Sequence, residues 1–233
     1  MPAWSYSALT SYETCPLRHY ETRVAKTTHD KKGAPALLGD AGHKALELRA
    51  SRDVPIPKVI QVTDADGKTE SMPTHGWEST IERVLQAPGE LVVERKIALN
   101  DRFQETDWFA KDAWVRGIID FGKINGDKAL LLDWKSGKRK PDLDQLELFS
   151  AFGFHVWPAL EKIVTGFVWL KSNAIDKSRY SRADLPKIWD RFLPRVAKLF
   201  RAYEDNKWEP RPSGLCRAWC PCTDCKYNGR HGE

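Results

Sequence analysis

Two aspartates and a lysine stand where their types and spacing permit chemistry. Asp120 sits inside the apolar run Gly117-Ile118-Ile119-Asp120-Phe121-Gly122, and Asp133 and Lys135 close the run Leu130-Leu131-Leu132-Asp133-Trp134-Lys135. Between the two runs lies Asn125-Gly126-Asp127, a strong hairpin signal. Antiparallel pairing about that turn sets opposite one another residues whose numbers sum to about 252 or 253, which brings Asp120 level with Asp133. Side chains alternate across a strand, so Asp133 and Lys135 project from one face and Trp134 from the other.

Two close carboxylates repel unless one is protonated or a cation joins them, and oxygen ligands of this kind suit Mg²⁺ or Mn²⁺. Such an ion can bind a phosphodiester oxygen, while an adjacent lysine orients a water or offsets charge gathering on phosphorus. An edge-strand ion pair, with Lys135 neutralising Asp133 and Asp120 meeting solvent, accounts for the same three residues.

A second constellation closes the sequence: Cys216-x3-Cys220-x-Cys222-x2-Cys225, four of the five cysteines. Thiolates bind soft ions, so tetrahedral Zn²⁺ and an iron–sulfur cluster are the two physical options. A purely local zinc site would use these four and leave Cys15 out.

The elements that must position these residues can be read from periodicity. Ser7 caps a helix over Ala8 to Cys15, and Pro16 starts a second turn. Ala36 to Arg49 is a helix with Leu37, Leu38, Ala41, Ala45 and Leu48 on a broad apolar face and His43 inside it. Residues 77 to 87 form another helix, stopped by Pro88 and Gly89. From Glu90 the apolar residues Leu91, Val93, Ile97 and Leu99 recur with a period near two, which marks a strand. Strands follow over Trp114 to Ile124 and Ala129 to Lys135. Asp142 or its neighbours then open a helix through Gln145, Leu146, Phe149 and Phe152 that ends near Pro158. Ile163 to Lys171 is a fourth strand, and Leu185 to Asn206 a long helix interrupted by Pro194. Glu94, in the first of these strands, either joins the metal shell or is an ordinary strand-surface glutamate.

The chain has 233 residues, 41% hydrophobic and 30% charged, the mix of a folded globular protein. Its net charge of +5 suits a polyanionic partner without requiring one. Ten tryptophans serve a core, although a flat ring can also stack on an unpaired base. No run approaches the length of a membrane span, and the start, MPAWSYSALTSYE, lacks the basic and then apolar regions of a secretion signal. The expectation is a cytoplasmic protein of a bacterium or a phage-infected cell, with no membrane partner and reduced thiols. There is no GxxxxGK[ST] phosphate loop, recognition helix or zinc-finger spacing, so ATP-driven motion and base-specific reading are not expected of this chain.

Gly117 to Gly122 followed by Asp133-Trp134-Lys135-Ser136-Gly137 resembles the second and third motifs of the PD-(D/E)XK nucleases, and the closer resemblance is to their RecB-like branch. Relatives of that kind carry a histidine in an upstream helix, here Gly39-Asp40-Ala41-Gly42-His43, and a glutamine in the helix after the lysine strand, here Gln145. The resemblance implies an α/β fold of mixed (α+β) type. A central mixed β-sheet flanked by helices would form a restriction-endonuclease-like core, with a helical N-terminal region and a Cys-rich C-terminal tail. It implies one domain over 1–233: an N-terminal helical segment with Cys15 (1–35), the nuclease core (36–171), and a C-terminal helix with the cysteine tail (172–233).

Residue by residue, the resemblance implies that His43, Asp120, Asp133 and the main-chain carbonyl of Trp134 ligate Mg²⁺ or Mn²⁺. Lys135 would position the attacking water, and Gln145 would contact the phosphate or support the lysine. Ser7 to Tyr20 is similar to the amino-terminal cluster motif of these nucleases. A [4Fe-4S] cluster would then take Cys15, Cys216, Cys220 and Cys225, with Cys222 as the alternative to Cys220. Lys138, Arg139 and Lys140, just past the lysine strand, would follow the DNA backbone.

The activity implied is a metal-dependent DNA exonuclease acting on free ends or single strands. Partners in recombination, repair or CRISPR adaptation, in phage or bacteria, are implied with it. Two other readings remain open from the sequence: a catalytically inactive nucleic-acid-binding or scaffold protein that keeps the fold, and a zinc-ribbon module whose tail does the binding.

Overall fold

The computed structural model describes residues 2–29, 32–139 and 143–231. The chain separates into two compact units, one of Met1–Lys31 with Asp190–Glu233 and the other of Lys32–Trp189. Along the sequence come helices α1 (Tyr6–Thr14), α2 (Pro16–His19) and α3 (Ala34–Arg52), then strands β1 (Val59–Thr63) and β2 (Thr69–Pro73) and helix α4 (Trp77–Leu85). Strands β3 (Glu90–Leu99), β4 (Glu105–Thr106), β5 (Val115–Asn125) and β6 (Lys128–Lys135) follow, then α5 (Leu143–Val156), β7 (Lys162–Trp169), β8 (Ala174–Ser181) and α6 (Leu185–Glu204).

The larger unit is built on a six-stranded mixed sheet in the order β4-β3-β5-β6-β7-β8. Only the β6–β7 pair is parallel. Parallel neighbours need a crossover, and α5 supplies it. Alternation on β6 sorts the layers. Leu132 and Trp134 pack with Leu38 and Leu46 of α3 and with Trp77 and Ile81 of α4. Asp133 and Lys135 pair with Phe167 and Trp169 of β7, and those two rings pack on Leu146 of α5. The sheet therefore has α3 and α4 on one face and α5 on the other, the expected α/β architecture with helices flanking a mixed sheet.

Element boundaries differ from the sequence reading where polar atoms settle the matter. Ser5, not Ser7, caps α1, its Oγ accepting from the Ala8 N–H at 3.2 Å. The hairpin β1–β2 and the edge strand β8 were not expected. Only alternate β1 and β2 residues are covered, and β8 is polar along much of its length. Pro194 lies inside a continuous α6 and does not end it. The proposed opening of α5 by Asp142 falls outside the described residues.

In the smaller unit α1, α2 and most of α6 meet the cysteine tail. Glu13 accepts two hydrogen bonds from Arg195, at 2.6 and 2.8 Å, a bidentate arrangement that fixes α1 against α6. His19, Tyr203 and Trp208 form a ring cluster, with His19 stacked on Trp208 at 5.9 Å. Burial, and then the nearby Arg23 charge, hold the His19 pKa down at about 4, so this histidine is neutral packing material.

Candidate active site

The β5–β6 ladder pairs Asn125 with Lys128 and continues to Phe121 with Leu132, then stops one step short of Asp120 and Asp133. Beyond that point a side chain replaces the ladder, because the Trp134 N–H donates to Asp120 Oδ2 at 3.0 Å. The strands diverge where the two carboxylates begin, and the gap admits a side chain from α3. His43 Nδ1 lies 3.2 Å from the same Asp120 oxygen, and the His43 ring also bonds the main chain of Trp134. Gly39, one turn earlier on α3, permits the approach. A Cβ there would stand 2.9 Å from Ser136 Oγ, so a larger residue would have to displace that hydroxyl.

Glu94 enters from the other side. The β3–β5 ladder pairs Val93 with Phe121 and Arg95 with Ile119, but leaves out Glu94 and Asp120 between them. Glu94 has φ of 48°, a left-handed backbone that costs a non-glycine residue on the order of 1 kcal/mol. The pleat also changes sides here. Gly117 faces the Phe152 ring of α5, where a Cβ would stand 2.2 Å from it, whereas Phe121, of the same parity, packs in the α3 cluster. The irregularity thus coincides with the carboxylates. One donor atom each from His43, Glu94 and Asp120 lies within 4.8 Å of the others, a nitrogen and two oxygens able to hold a divalent cation.

Asp133 has different partners. Lys135 Nζ is 2.7 Å from Asp133 Oδ2, an ion pair. Gln145 Nε2 donates to Asp133 Oδ1 at 2.9 Å, and Gln145 Oε1 accepts from Lys135 Nζ at 3.0 Å. The three side chains close a ring in which the amide of α5 fixes both the lysine and the carboxylate.

Charge is crowded throughout. Burial, then the charge of Asp120, pushes the Asp133 pKa up to about 6, with Lys135 pulling the other way. Burial and then Asp120 also raise Glu94. Burial works against a charge on His43, yet the hydrogen bond and negative charge of Asp120 prevail and its pKa rises. All three shifts have one meaning: without a cation, the site prefers to take up protons. A divalent cation fits this donor set chemically.

Of the residues expected to follow a nucleic-acid backbone, Lys138 is exposed, Arg139 is tied to Asp176 through Nε at 2.9 Å, and Lys140 lies outside the described residues. Lys44 and Glu47 of α3 line the cleft beside His43 and Glu94 and had no motif to reveal them.

In the smaller unit Cys15, Cys216, Cys220, Cys222 and Cys225 all line one cavity. The Arg211 N–H approaches Cys15 Sγ at 3.4 Å and the Ser213 N–H approaches Cys216 Sγ at 3.4 Å. Burial, followed by the Cys220 charge and hydrogen bond, pushes the Cys222 thiol up to about 12. Five cysteines lining one cavity offer the donor type that a soft metal ion or cluster takes, and the grouping includes Cys15.

A family model described as the PD-(D/E)XK nuclease superfamily matches residues 3–230. Among solved structures, that of a "Putative exonuclease" from Eubacterium rectale resembles the chain with a TM-score of 0.54 at 11% identity, covering 99% of this chain and 88% of that one. At that identity the likeness is one of fold. The structure of SSO0001 is 14% identical over 97% of this chain and 86% of that one, with a TM-score of 0.47. No curated protein matches.

Proposed function

The chain belongs to the PD-(D/E)XK nuclease superfamily, and from that premise we propose that it is a metal-dependent deoxyribonuclease of the RecB-like branch that works from DNA ends or single strands. The observation that carries this is the convergence of His43, Glu94 and Asp120 within 4.8 Å of one another at the point where β5 and β6 part beside Asp133, Lys135 and Gln145. An ion pair alone would need only two of these six.

His43, Glu94 and Asp120 would hold Mg²⁺ or Mn²⁺, with Asp133 and the Trp134 carbonyl at its edge. The ion would bind a phosphodiester oxygen and steady the charge that develops there. Lys135, held by Gln145, directs an ammonium proton at the position a reacting water must take. Asp133 keeps that ammonium in place. Cys15, Cys216, Cys225 and one of Cys220 and Cys222 would hold a [4Fe-4S] cluster, or four of the thiols Zn²⁺, as a structural clasp.

End-labelled single- and double-stranded DNA, incubated with Mn²⁺ or Mg²⁺, tests the reading. Wild type should shorten the labelled strand progressively, and Asp133→Ala and Lys135→Ala should leave it intact. An inert wild type, or variants that cut as well, would overturn the assignment.

A further inference from the structure

Phe109 is 85% exposed in the segment between β4 and β5, the most exposed of the large apolar side chains among the described residues. The ring is displayed on a braced segment. The Ala110 N–H donates to the Asp107 carbonyl at 3.0 Å, the Ala113 N–H to the Ala110 carbonyl at 3.2 Å, and the Trp114 N–H to the Leu99 carbonyl at 2.8 Å. Thr106 Oγ1 donates to Asp112 at 3.1 Å. Beside Phe109, the half-buried Trp108 has Lys96 Nζ at 5.8 Å and the Arg116 guanidinium at 5.6 Å from its ring centre, and the same guanidinium stands 5.9 Å from the Phe109 ring. Neither Lys96 nor Arg116 has a carboxylate partner among the described residues, and Arg116 Nε is buried without a hydrogen bond. Of the acids in the neighbouring segment, Glu105 pairs with Arg95 at 2.6 Å and Asp112 accepts from Thr106.

We propose that Trp108, Phe109, Lys96 and Arg116 form a platform on which an unpaired base of the DNA substrate stacks while the two cations take its flanking phosphates. The inference rests on the nuclease reading and narrows it to single-stranded DNA. Two facts carry it beyond an exposed aromatic ring. First, an aromatic face bordered by unneutralised cations is complementary to both parts of a nucleotide, the apolar base and the anionic phosphate. Second, the platform shares its strands with the candidate metal site. Lys96 follows Glu94 by two residues on β3, and Arg116 precedes Asp120 by four on β5. At roughly 3.3 Å per residue these offsets are about 7 and 13 Å of strand. A strand whose phosphate reached the metal site would present a base to the platform within about four stacked nucleotides at roughly 3.4 Å each. Duplex bases have both faces occupied by neighbours, so the platform favours single strands over blunt duplex.

Binding of a fluorescein-labelled thymidine oligonucleotide and of a blunt duplex of equal length, by anisotropy in EDTA, separates the possibilities. Phe109→Ala should weaken single-strand binding by roughly 5- to 150-fold, the equivalent of about 1–3 kcal/mol for one stacked base, and duplex binding by no more than about twofold. Phe109→Trp should restore it. Arg116→Ala should weaken single-strand binding and flatten its salt dependence by about one charge. An unchanged Kd for Phe109→Ala, or an equal loss on both substrates, would refute the platform, provided the variant melts like wild type. The two readings separate cleanly. A wild type that cuts DNA with no dependence on Phe109 refutes the platform alone. Phe109-dependent binding in a protein that never cuts refutes the nuclease alone.

Discussion

His43 Nδ1 and Asp120 Oδ2 lie 3.2 Å apart, joining α3 to a strand whose ladder with β6 has just ended. The pair places a nitrogen among carboxylate oxygens, and nitrogen donors shift a site toward Mn²⁺. Mn²⁺ should therefore support cleavage at least as well as Mg²⁺, and Ca²⁺ should bind without supporting it. His43→Ala should raise the Mn²⁺ concentration for half-maximal rate by at least about tenfold. A strict preference for Mg²⁺, unaltered in His43→Ala, would remove the histidine from the ligand set.

The charge crowding makes a prediction for the metal-free protein. Asp133 titrates near 3.8 in an unfolded chain and at about 6 when folded. A raised folded pKa stabilises the fold at pH below 3.8, and that contribution is lost as pH rises through about 6, by up to about 3 kcal/mol at 1.36 kcal/mol per unit. His43, also raised, loses its contribution in the same direction as pH rises past its own folded value. In EDTA, Asp133→Asn should melt with wild type near pH 4 and several degrees above it at pH 7.5. The gain should vanish when Mn²⁺ is added to wild type. A gap that does not change with pH would mean that Asp133 is not the strained group.

The sheet centre and the hairpin of Asp120 and Asp133 were legible because burial imposes a period on the sequence. Leu130 to Trp134 and Ile118 to Phe121 alternate or run apolar, and Asn125-Gly126-Asp127 sets the register, found as Phe121 opposite Leu132. The hairpin β1–β2 and strand β8 were invisible because only scattered residues on them, such as Ile60 and Met72, enter the core. Glu94 shows why a site residue can keep two readings in the sequence, metal ligand or strand-surface glutamate. Its place at the site depends on a φ of 48° that no side-chain pattern announces. Phe109 escaped for the converse reason, since sequence cannot tell an exposed ring from a core one. The choice among cysteines stayed open because spacing orders ligands along the chain, while all five cysteines line one cavity.

Lys135 and Gln145 should separate chemistry from metal binding. In the proposed mechanism the lysine acts on the water or the phosphate, so Lys135→Ala should lower kcat by roughly 10²- to 10³-fold while leaving Mn²⁺ affinity, by calorimetry, close to wild type. Gln145 acts through its bonds to Lys135 and Asp133 at 3.0 and 2.9 Å, so Gln145→Ala should cost less, on the order of tenfold, in kcat and not in KM. It should also move the acid limb of the kcat profile, because Asp133 loses a donor that stabilised its charge. Loss of Mn²⁺ binding in either variant would turn the ring into a ligand support.

The cysteine cavity joins a residue near the start of the chain to four near its end, so whatever fills it closes a loop of nearly the whole sequence. Loop closure of that length is entropically expensive for the unfolded chain, and the clasp should act on stability before it acts on chemistry. Protein purified without oxygen should be brown, absorb near about 400 nm and carry about four irons per chain. Cys15→Ser and Cys216→Ser should each bleach it and lower Tm by roughly 5 °C or more. Cys220→Ser and Cys222→Ser should differ, since only one of these neighbouring thiols is needed to complete a four-sulfur set. The variant that keeps its colour identifies the spare. Stoichiometric zinc without iron, with Cys15→Ser as stable as wild type, would instead confine the site to the four C-terminal thiols and release Cys15 from it.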